Sequence, residues 1–142
     1  MEWQFGIDTS AHIGALKAKG RTVAVLGTGF NNIYPPENIQ LFKDILRNNG
    51  TIITEYEPDT KKAPDNFRKR NRIVSGMSMG VLVVEAAYKS GTGITINYAR
   101  KQKKPIFGLP SNIENKNGIG TNRLLKKDRN ISYRCFGYIR VF

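Results

Sequence analysis

The apolar residues of this chain cluster in short, uninterrupted runs instead of alternating with polar residues. Strands that are apolar on both sides are typical of a parallel sheet, because helices cover both faces of such a sheet. Four runs of this kind predict strands, at residues 22–26, 51–54, 81–84 and 105–109. The pattern therefore predicts an α/β fold with a mostly parallel sheet.

Helical patterns separate the predicted strands. Asp8 or Thr9 is expected to cap the first helix, and Gly20 to end it. Two more helices are predicted at about residues 66–77 and 92–103, and a short one begins near residue 122. The helix between the first two strands carries an apolar stripe that we expect to be buried, formed by Leu41, Phe42, Ile45 and Leu46.

The alternating order of helices and strands predicts one doubly wound domain over residues 1–142, with helices on both faces of the sheet. Because the chain opens on a helix, we expect the first βαβ unit of such a fold to be missing. The segment 131–142 is rich in β-formers and is expected to add an edge strand or a hairpin.

The net charge restricts the possible functions of the chain more than its possible folds. The 142 residues include 23 Lys and Arg against 11 Asp and Glu, which leaves a net charge of +12. Such an excess repels itself unless a polyanion or counterions relieve it; nucleic acid is the commonest such partner and an anionic membrane the second. A basic surface that only solvent covers is the remaining alternative.

Other totals exclude several classes of protein. One cysteine rules out an internal disulfide, and one histidine is too few for a conventional Cys/His zinc cluster, so we expect neither metal nor cofactor. No apolar run approaches the ~18 residues of a membrane span, and the start lacks the order of a signal peptide. These features predict a cytoplasmic protein that is not inserted in a membrane.

The cations are concentrated between residues 61 and 72, where six of twelve residues are Lys or Arg. Several fall in the first turns of a predicted helix, where the helix dipole disfavours positive charge by ~0.3–1 kcal/mol each. This placement indicates an external anion, and Arg68 and Arg72 share a helix face that can contact adjacent phosphates. Phe67 is either a core residue or a platform on which a nucleobase stacks.

Two turns that contain glycine follow predicted strands, at the sheet edge where α/β proteins bind ligands. Their amides can hold phosphates, and the second turn also opens a helix, whose N-terminus attracts anions. A purely structural turn is the alternative in both places. The predicted phosphate-binding residues are Gly27, Thr28 and Gly29 in the first turn and Ser90, Gly91, Thr92 and Gly93 in the second, with Lys89 beside it.

Two other functions stay open. Glu55 and Glu85 each end a strand and can together hydrolyse a nucleotide by general acid/base chemistry, although hydrogen bonding to loop amides is the simpler role. His12 lies on the first predicted helix, where packing or capping is the simpler alternative to acting as a general base. Leu124 and Leu125 are expected in the core, with a dimer contact as the alternative.

Several short motifs follow one another in a characteristic order. They are Gly6-Ile7-Asp8 with Ala11-His12, residues 24–29, Tyr34-Pro35-Pro36-Glu37-Asn38, Asn66-Phe67 with Arg70-Asn71-Arg72, Ser90-Gly91 and Gly120-Thr121-Asn122. In this order they closely resemble the DprA/Smf family over about residues 6–127. The resemblance implies an extended Rossmann fold that dimerises, binds single-stranded DNA and helps to load the RecA recombinase during natural transformation.

The resemblance also implies that DNA lies against the basic segment, in agreement with the charge. The family's Gly-Ser-Arg turn is missing, so a truncated paralogue that serves as an oligomerisation module is an alternative. A related class of nucleotide phosphoribohydrolases, the LOG type, carries Thr and Glu where Ile94 and Asn97 stand here, which argues against that enzyme. The predicted nucleic-acid-binding residues are Lys62, Asn66, Phe67, Arg68, Arg70, Asn71, Arg72, Lys89 and Lys101.

Overall fold

Helices and parallel strands alternate along the chain, in a computed structural model that describes residues 6–86, 91–112 and 114–128. The strands are β1 (Val23–Val25), β2 (Thr51–Ile53), β3 (Val81–Val83) and β4 (Ile106–Gly108). The helices are α1 (Ile7–Lys17), α2 (Ile39–Arg47), α3 (Pro64–Met77), α4 (Thr92–Lys101) and α5 (Ile119–Asp128). All four strands predicted from the apolar runs are present, and the α/β prediction is confirmed.

The strands pair in parallel, as their continuous apolar sequences predicted. In one pair β1 lies beside β2, with Val23 opposite Thr51. In the other β3 lies beside β4, with Val81 opposite Ile106. The hydrogen-bonded ladders are thus two-stranded.

The chain divides into two compact units, and the boundary falls inside α3, between Arg70 and Asn71. Each unit has its own apolar core, built from one strand pair and the helices that cover it. The buried core of the first unit consists of Ala24, Leu26, Phe42 and Ile45. The buried core of the second consists of Val83, Ala86, Ile96, Ala99, Ile106 and Leu124.

The capping prediction for the first helix is wrong. Helix α1 begins at Ile7 with Gly6 in the N-cap position, so Asp8 and Thr9 lie within its first turn. Thr9 is buried, and its hydroxyl oxygen accepts a hydrogen bond of 3.0 Å from the side-chain amide of Asn38. The threonine therefore serves a contact distant in sequence, which no local capping pattern reveals.

The predicted apolar stripe of α2 is one residue too wide. Phe42 and Ile45 are buried and Leu41 packs beside them, but Leu46 is 57% exposed. Successive residues point about 100° apart on a helix, so the neighbour of a fully buried residue such as Ile45 turns toward solvent.

Helix α5 begins three residues earlier than predicted, after a short 3₁₀ turn at Lys116–Gly118. Leu124 is buried in the second core, which confirms the packing interpretation of this residue over an exposed contact. The predicted strand at 131–142 lies outside the described residues, as do Lys89 and Ser90. Along the ranges that are described, no helix has the length and apolar character needed to cross a bilayer.

Candidate nucleic-acid interface

The start of α3 lies against the turn that follows β1. A Cβ added to Gly27 would be 2.8 Å from Cδ1 of Phe67, so the phenyl ring contacts the turn where a side chain would otherwise stand. The hydroxyl of Tyr56 donates to the carbonyl oxygen of Asn66 at 3.2 Å. The hydroxyl of Thr54 donates to the carbonyl oxygen of Thr28 at 2.8 Å. The segment after β2 therefore holds both the turn and the helix start.

The glycine turn is itself tightly packed. A Cβ on Gly29 would overlap the carbonyl oxygens of Glu57 and Pro58, and the amide of Gly29 donates to the carbonyl oxygen of Thr60 at 3.0 Å. These contacts directly support a structural role for the turn. A phosphate-binding role for Gly27, Thr28 and Gly29 stays a prediction; all three residues are buried.

Two aromatic rings and two cations meet at this end of α3. The rings of Tyr34 and Phe67 are 5.9 Å apart between centroids and inclined by 63°, an edge-to-face arrangement. The ammonium nitrogen of Lys62 lies 4.3 Å from the centroid of Tyr34. The guanidinium carbon of Arg70 lies 5.9 Å from the centroid of Phe67. Stacking surface and positive charge, the two features that a single nucleic-acid strand requires, are thus adjacent.

Sequence reasoning gave Tyr34 no role in binding. Its place in the Tyr34-Pro35-Pro36-Glu37-Asn38 motif was the available signal, and only the fold brings the ring beside Phe67. For Phe67 the sequence left two roles open, a core residue or a base-stacking platform. The residue is half-buried, and it contacts Gly27 and Tyr34.

Arg70 is a cation in a poorly solvated position. Burial lowers the pKa of its guanidinium, and the nearby carboxylate of Asp8 partly opposes that shift. Its Nε is buried and has no hydrogen-bond partner among the residues that the structure describes. The desolvated donor favours an anion at this position, since a buried polar group without a partner is costly.

Arg68 differs from Arg70. Its side chain is 66% exposed, and its guanidinium lies 3.7 Å from the carboxylate of Asp65, a surface pair that contributes little to stability. Lys61, Lys62 and Lys69 are also exposed. The basic segment at residues 61–72 therefore presents exposed charges at its surface and one inward-facing charge, that of Arg70.

His12 lies in the electrostatic environment of Arg70. Its Nδ1 and the hydroxyl oxygen of Thr22 are hydrogen-bonded at 2.7 Å. Burial lowers the pKa of His12; the carboxylate of Asp8 raises it and the charge of Arg70 lowers it further. The structure thus places His12 as a packed residue, with a hydrogen bond to Thr22.

The remaining predicted residues belong to the second unit. Within this unit, Gln102 contacts the second half of α3. Its side chain accepts a hydrogen bond from the hydroxyl of Ser75 at 2.6 Å and donates one to the carbonyl oxygen of Arg72 at 3.0 Å. Asn71 is half-buried, while Arg72 and Lys101 are exposed. Gly91, Thr92 and Gly93 form the start of α4, where an added Cβ on either glycine would meet open space.

The residues of the enzyme alternative lie in different units. Glu55 follows β2 in the first unit and Glu85 follows β3 in the second, and both are exposed. Within the described ranges, no group of three or more His, Cys, Asp or Glu is arranged to hold a metal ion.

Comparison with known proteins gives the class of the fold and then the family. The chain superposes on the X-ray structure of DNA processing protein A from Streptococcus pneumoniae with a TM-score of 0.82 and 35% identity, covering 89% of this chain and 44% of that one. For DNA processing protein A from Helicobacter pylori, solved to describe its single-stranded DNA binding mode, the TM-score is 0.74, the identity 25% and the coverage 88% of this chain and 66% of that one. The Rossmann-like α/β class is confirmed.

Sequence relatives agree with the structural ones. The chain is 49% identical to protein Smf of Synechocystis over 106 residues, which are 75% of this chain and 26% of the relative. It is 39% identical to DprA of Bacillus subtilis over 122 residues, 86% of this chain and 41% of the relative. The sequence model of DNA recombination-mediator protein A matches residues 4–136. The chain belongs to this family, also known as DprA/Smf, and spans less than half the length of these two curated relatives.

Proposed function

We propose that the chain binds single-stranded DNA through an α3 interface formed by Tyr34, Lys62, Asn66, Phe67, Arg68 and Arg70. The observation that carries the proposal is the pair of rings with a cation over each, 4.3 Å from Tyr34 and 5.9 Å from Phe67. A single strand exposes both the faces of its bases and its phosphates, so rings and cations side by side match it. A duplex hides the faces of its bases, and the arrangement fits it less well.

Charge and relatedness support the same proposal. The net charge of +12 provides the long-range attraction that a polyanion requires. A structural relative, DNA processing protein A from Helicobacter pylori, is described by its single-stranded DNA binding mode. The matched family is described as a recombination mediator, and we place this chain in DNA recombination and in the uptake of DNA during transformation.

The second unit contributes phosphate contacts in this proposal. Asn71, Arg72 and Lys101 carry the polar and positive groups, and Gly91, Thr92 and Gly93 form a helix start that attracts anions. Lys89 and Ser90 belong to the proposal on their sequence position alone. The turn at 27–29 contributes the backbone on which Phe67 rests.

The role is one of binding rather than catalysis, in the cytoplasm, where chromosomal DNA is processed. We extend the proposal to RecA as a protein partner and to a homodimer as the working form, in keeping with the recombination-mediator family. Light scattering on the purified chain measures its oligomeric state. A pull-down with RecA on a single-stranded oligonucleotide measures the partner contact.

The test of DNA binding is a titration of a labelled oligonucleotide at several salt concentrations. We expect single strands to be preferred over a duplex of the same sequence, and log K to fall by ~0.7 per phosphate neutralised for each log unit of salt. Lys62→Gln and Arg68→Gln are each expected to reduce the slope by about that amount. Lys17→Gln is the matched control, because Lys17 is exposed at the end of α1 that leads into the amino end of β1.

Equal effects of the three substitutions would show that only net charge matters, and would overturn the α3 interface. A preference for duplex, or affinity no greater than that of an unrelated protein of equal charge, would overturn single-strand binding itself.

A further inference from the structure

Lys62 covers the ring of Tyr34 and forms no ion pair with any residue that the structure describes. The ammonium of Lys62 lies 4.3 Å from the ring centroid, and the residue is exposed. The tyrosine is also 41% exposed, so part of its ring is accessible from solvent. A flexible, solvated cation is the easiest kind of cover to displace, because water solvates it well once it leaves the ring.

We propose that Tyr34 is a second base-stacking platform beside Phe67, and that a nucleobase replaces Lys62 on the tyrosine face while the lysine moves to the phosphate of the same strand. This inference rests on the proposed function and deepens it, since it assigns a base contact to a residue outside the basic segment. A base on an aromatic ring is held more strongly than an exposed ammonium over the same ring, so the exchange runs toward stacking.

Tyr34 has a ring contact of its own, and hydrogen bonds hold the chain on either side of it. Its ring meets that of Phe67 in an edge-to-face arrangement, and Phe67 rests on the backbone of Gly27. Upstream, the side-chain amide of Asn31 donates to the carboxylate of Asp59 at 2.7 Å. Downstream, the backbone amide of Asn38 donates to the carbonyl oxygen of Pro35 at 3.0 Å. A platform held at both ends loses little freedom when a base stacks on it.

The geometry also defines which strand fits. The two ring planes are inclined by 63°, so a base that stacks on Tyr34 cannot remain parallel to one that stacks on Phe67. Consecutive bases must therefore splay apart, which a single strand allows and a stacked duplex resists. The pair of rings thus selects unpaired nucleotides by shape and without reading their identity.

The experiment compares a base-containing oligonucleotide with an abasic one of the same length, on wild type and two variants. Tyr34→Leu removes the stacking face but keeps an apolar side chain against Phe67, and Tyr34→Phe keeps the face. We expect Tyr34→Leu to weaken binding of the base-containing strand by about tenfold. Its affinity for the abasic strand and its salt slope are expected to stay at the wild-type values, and Tyr34→Phe to bind both strands like wild type.

Each outcome decides the inference. If Tyr34→Leu weakens both strands equally, the ring supports the fold of the interface and does not stack. If it weakens neither while wild type prefers single strands, the stacking inference fails and the proposed function stands. If wild type shows no preference for single strands, both the stacking inference and the proposed function are wrong. Thermal unfolding of Tyr34→Leu identifies a loss of structure, and Tyr34→Trp, which restores a stacking face, is expected to recover tight binding.

Discussion

The ring of Phe67 lies on the backbone of Gly27, so close that a methyl group at Gly27 would be 2.8 Å from Cδ1 of the ring and 3.0 Å from Cε1. One contact thus joins the turn after β1 to the first turn of α3. This contact gives Gly27 a structural role, because it positions the ring of Phe67. Phe67 in turn contacts the ring of Tyr34.

Gly27→Ala is expected to displace Phe67. The added methyl group overlaps a half-buried ring, and overpacking of this kind costs about 1–3 kcal/mol of unfolding free energy. The affinity for single-stranded DNA is also expected to fall, because displacing Phe67 changes its orientation relative to Tyr34. Urea unfolding and an oligonucleotide titration measure the two effects.

The control for that substitution is Gly14→Ala. Gly14 lies within α1, is exposed, and has open space where a Cβ would stand. Alanine there is expected to stabilise the chain by up to ~1 kcal/mol through helix propensity. Similar losses for both substitutions would contradict the contact with Phe67.

The strands were predictable because a buried parallel strand has a distinctive local sequence. Each predicted run contains its strand, and even the short segment at 51–54 is correct. The contacts of the α3 interface were not predictable in this way. Tyr34 and Lys62 are 28 positions apart, and nothing in the identity of either residue indicates that the lysine covers the ring. The basic segment could be located from charge alone, whereas the inward position of Arg70 depends on packing.

Asn122 is expected to stabilise the second unit by holding the backbone of Ser111. Its side-chain oxygen accepts from the amide of Ser111 at 3.0 Å, and its side-chain nitrogen donates to the carbonyl oxygen of Ser111 at 2.9 Å. Asn122→Ala removes both hydrogen bonds and is expected to cost about 1–3 kcal/mol. Asn97→Ala, at an exposed site on α4, is the control and is expected to be neutral or slightly stabilising. Chemical denaturation of the two variants distinguishes them.

The stability of the chain is expected to depend on pH through His12. Burial lowers the pKa of this residue in the folded state below its ordinary value of 6.5, so the unfolded chain takes up a proton first as the pH falls. The free energy of unfolding should therefore be at its full value above about pH 6.5, decline below it, and level off once the folded-state pKa is passed. His12→Asn, which keeps a polar atom near Thr22, is expected to remove this step. An unchanged step in the variant would assign it to other groups.

The final prediction concerns the charges that face His12. Arg70 lowers the pKa of His12 and Asp8 raises it, so their removal should have opposite effects. Arg70→Gln is expected to raise the pKa of His12, and Asp8→Asn to lower it. Because the chain contains one histidine, its ring signals in an NMR titration need no assignment. Shifts in the same direction for both variants would contradict the arrangement, since they would reflect a general change in solvation. Shifts of the His12 pKa in opposite directions would show that the guanidinium of Arg70 lies near His12 on α1, as the structure has it.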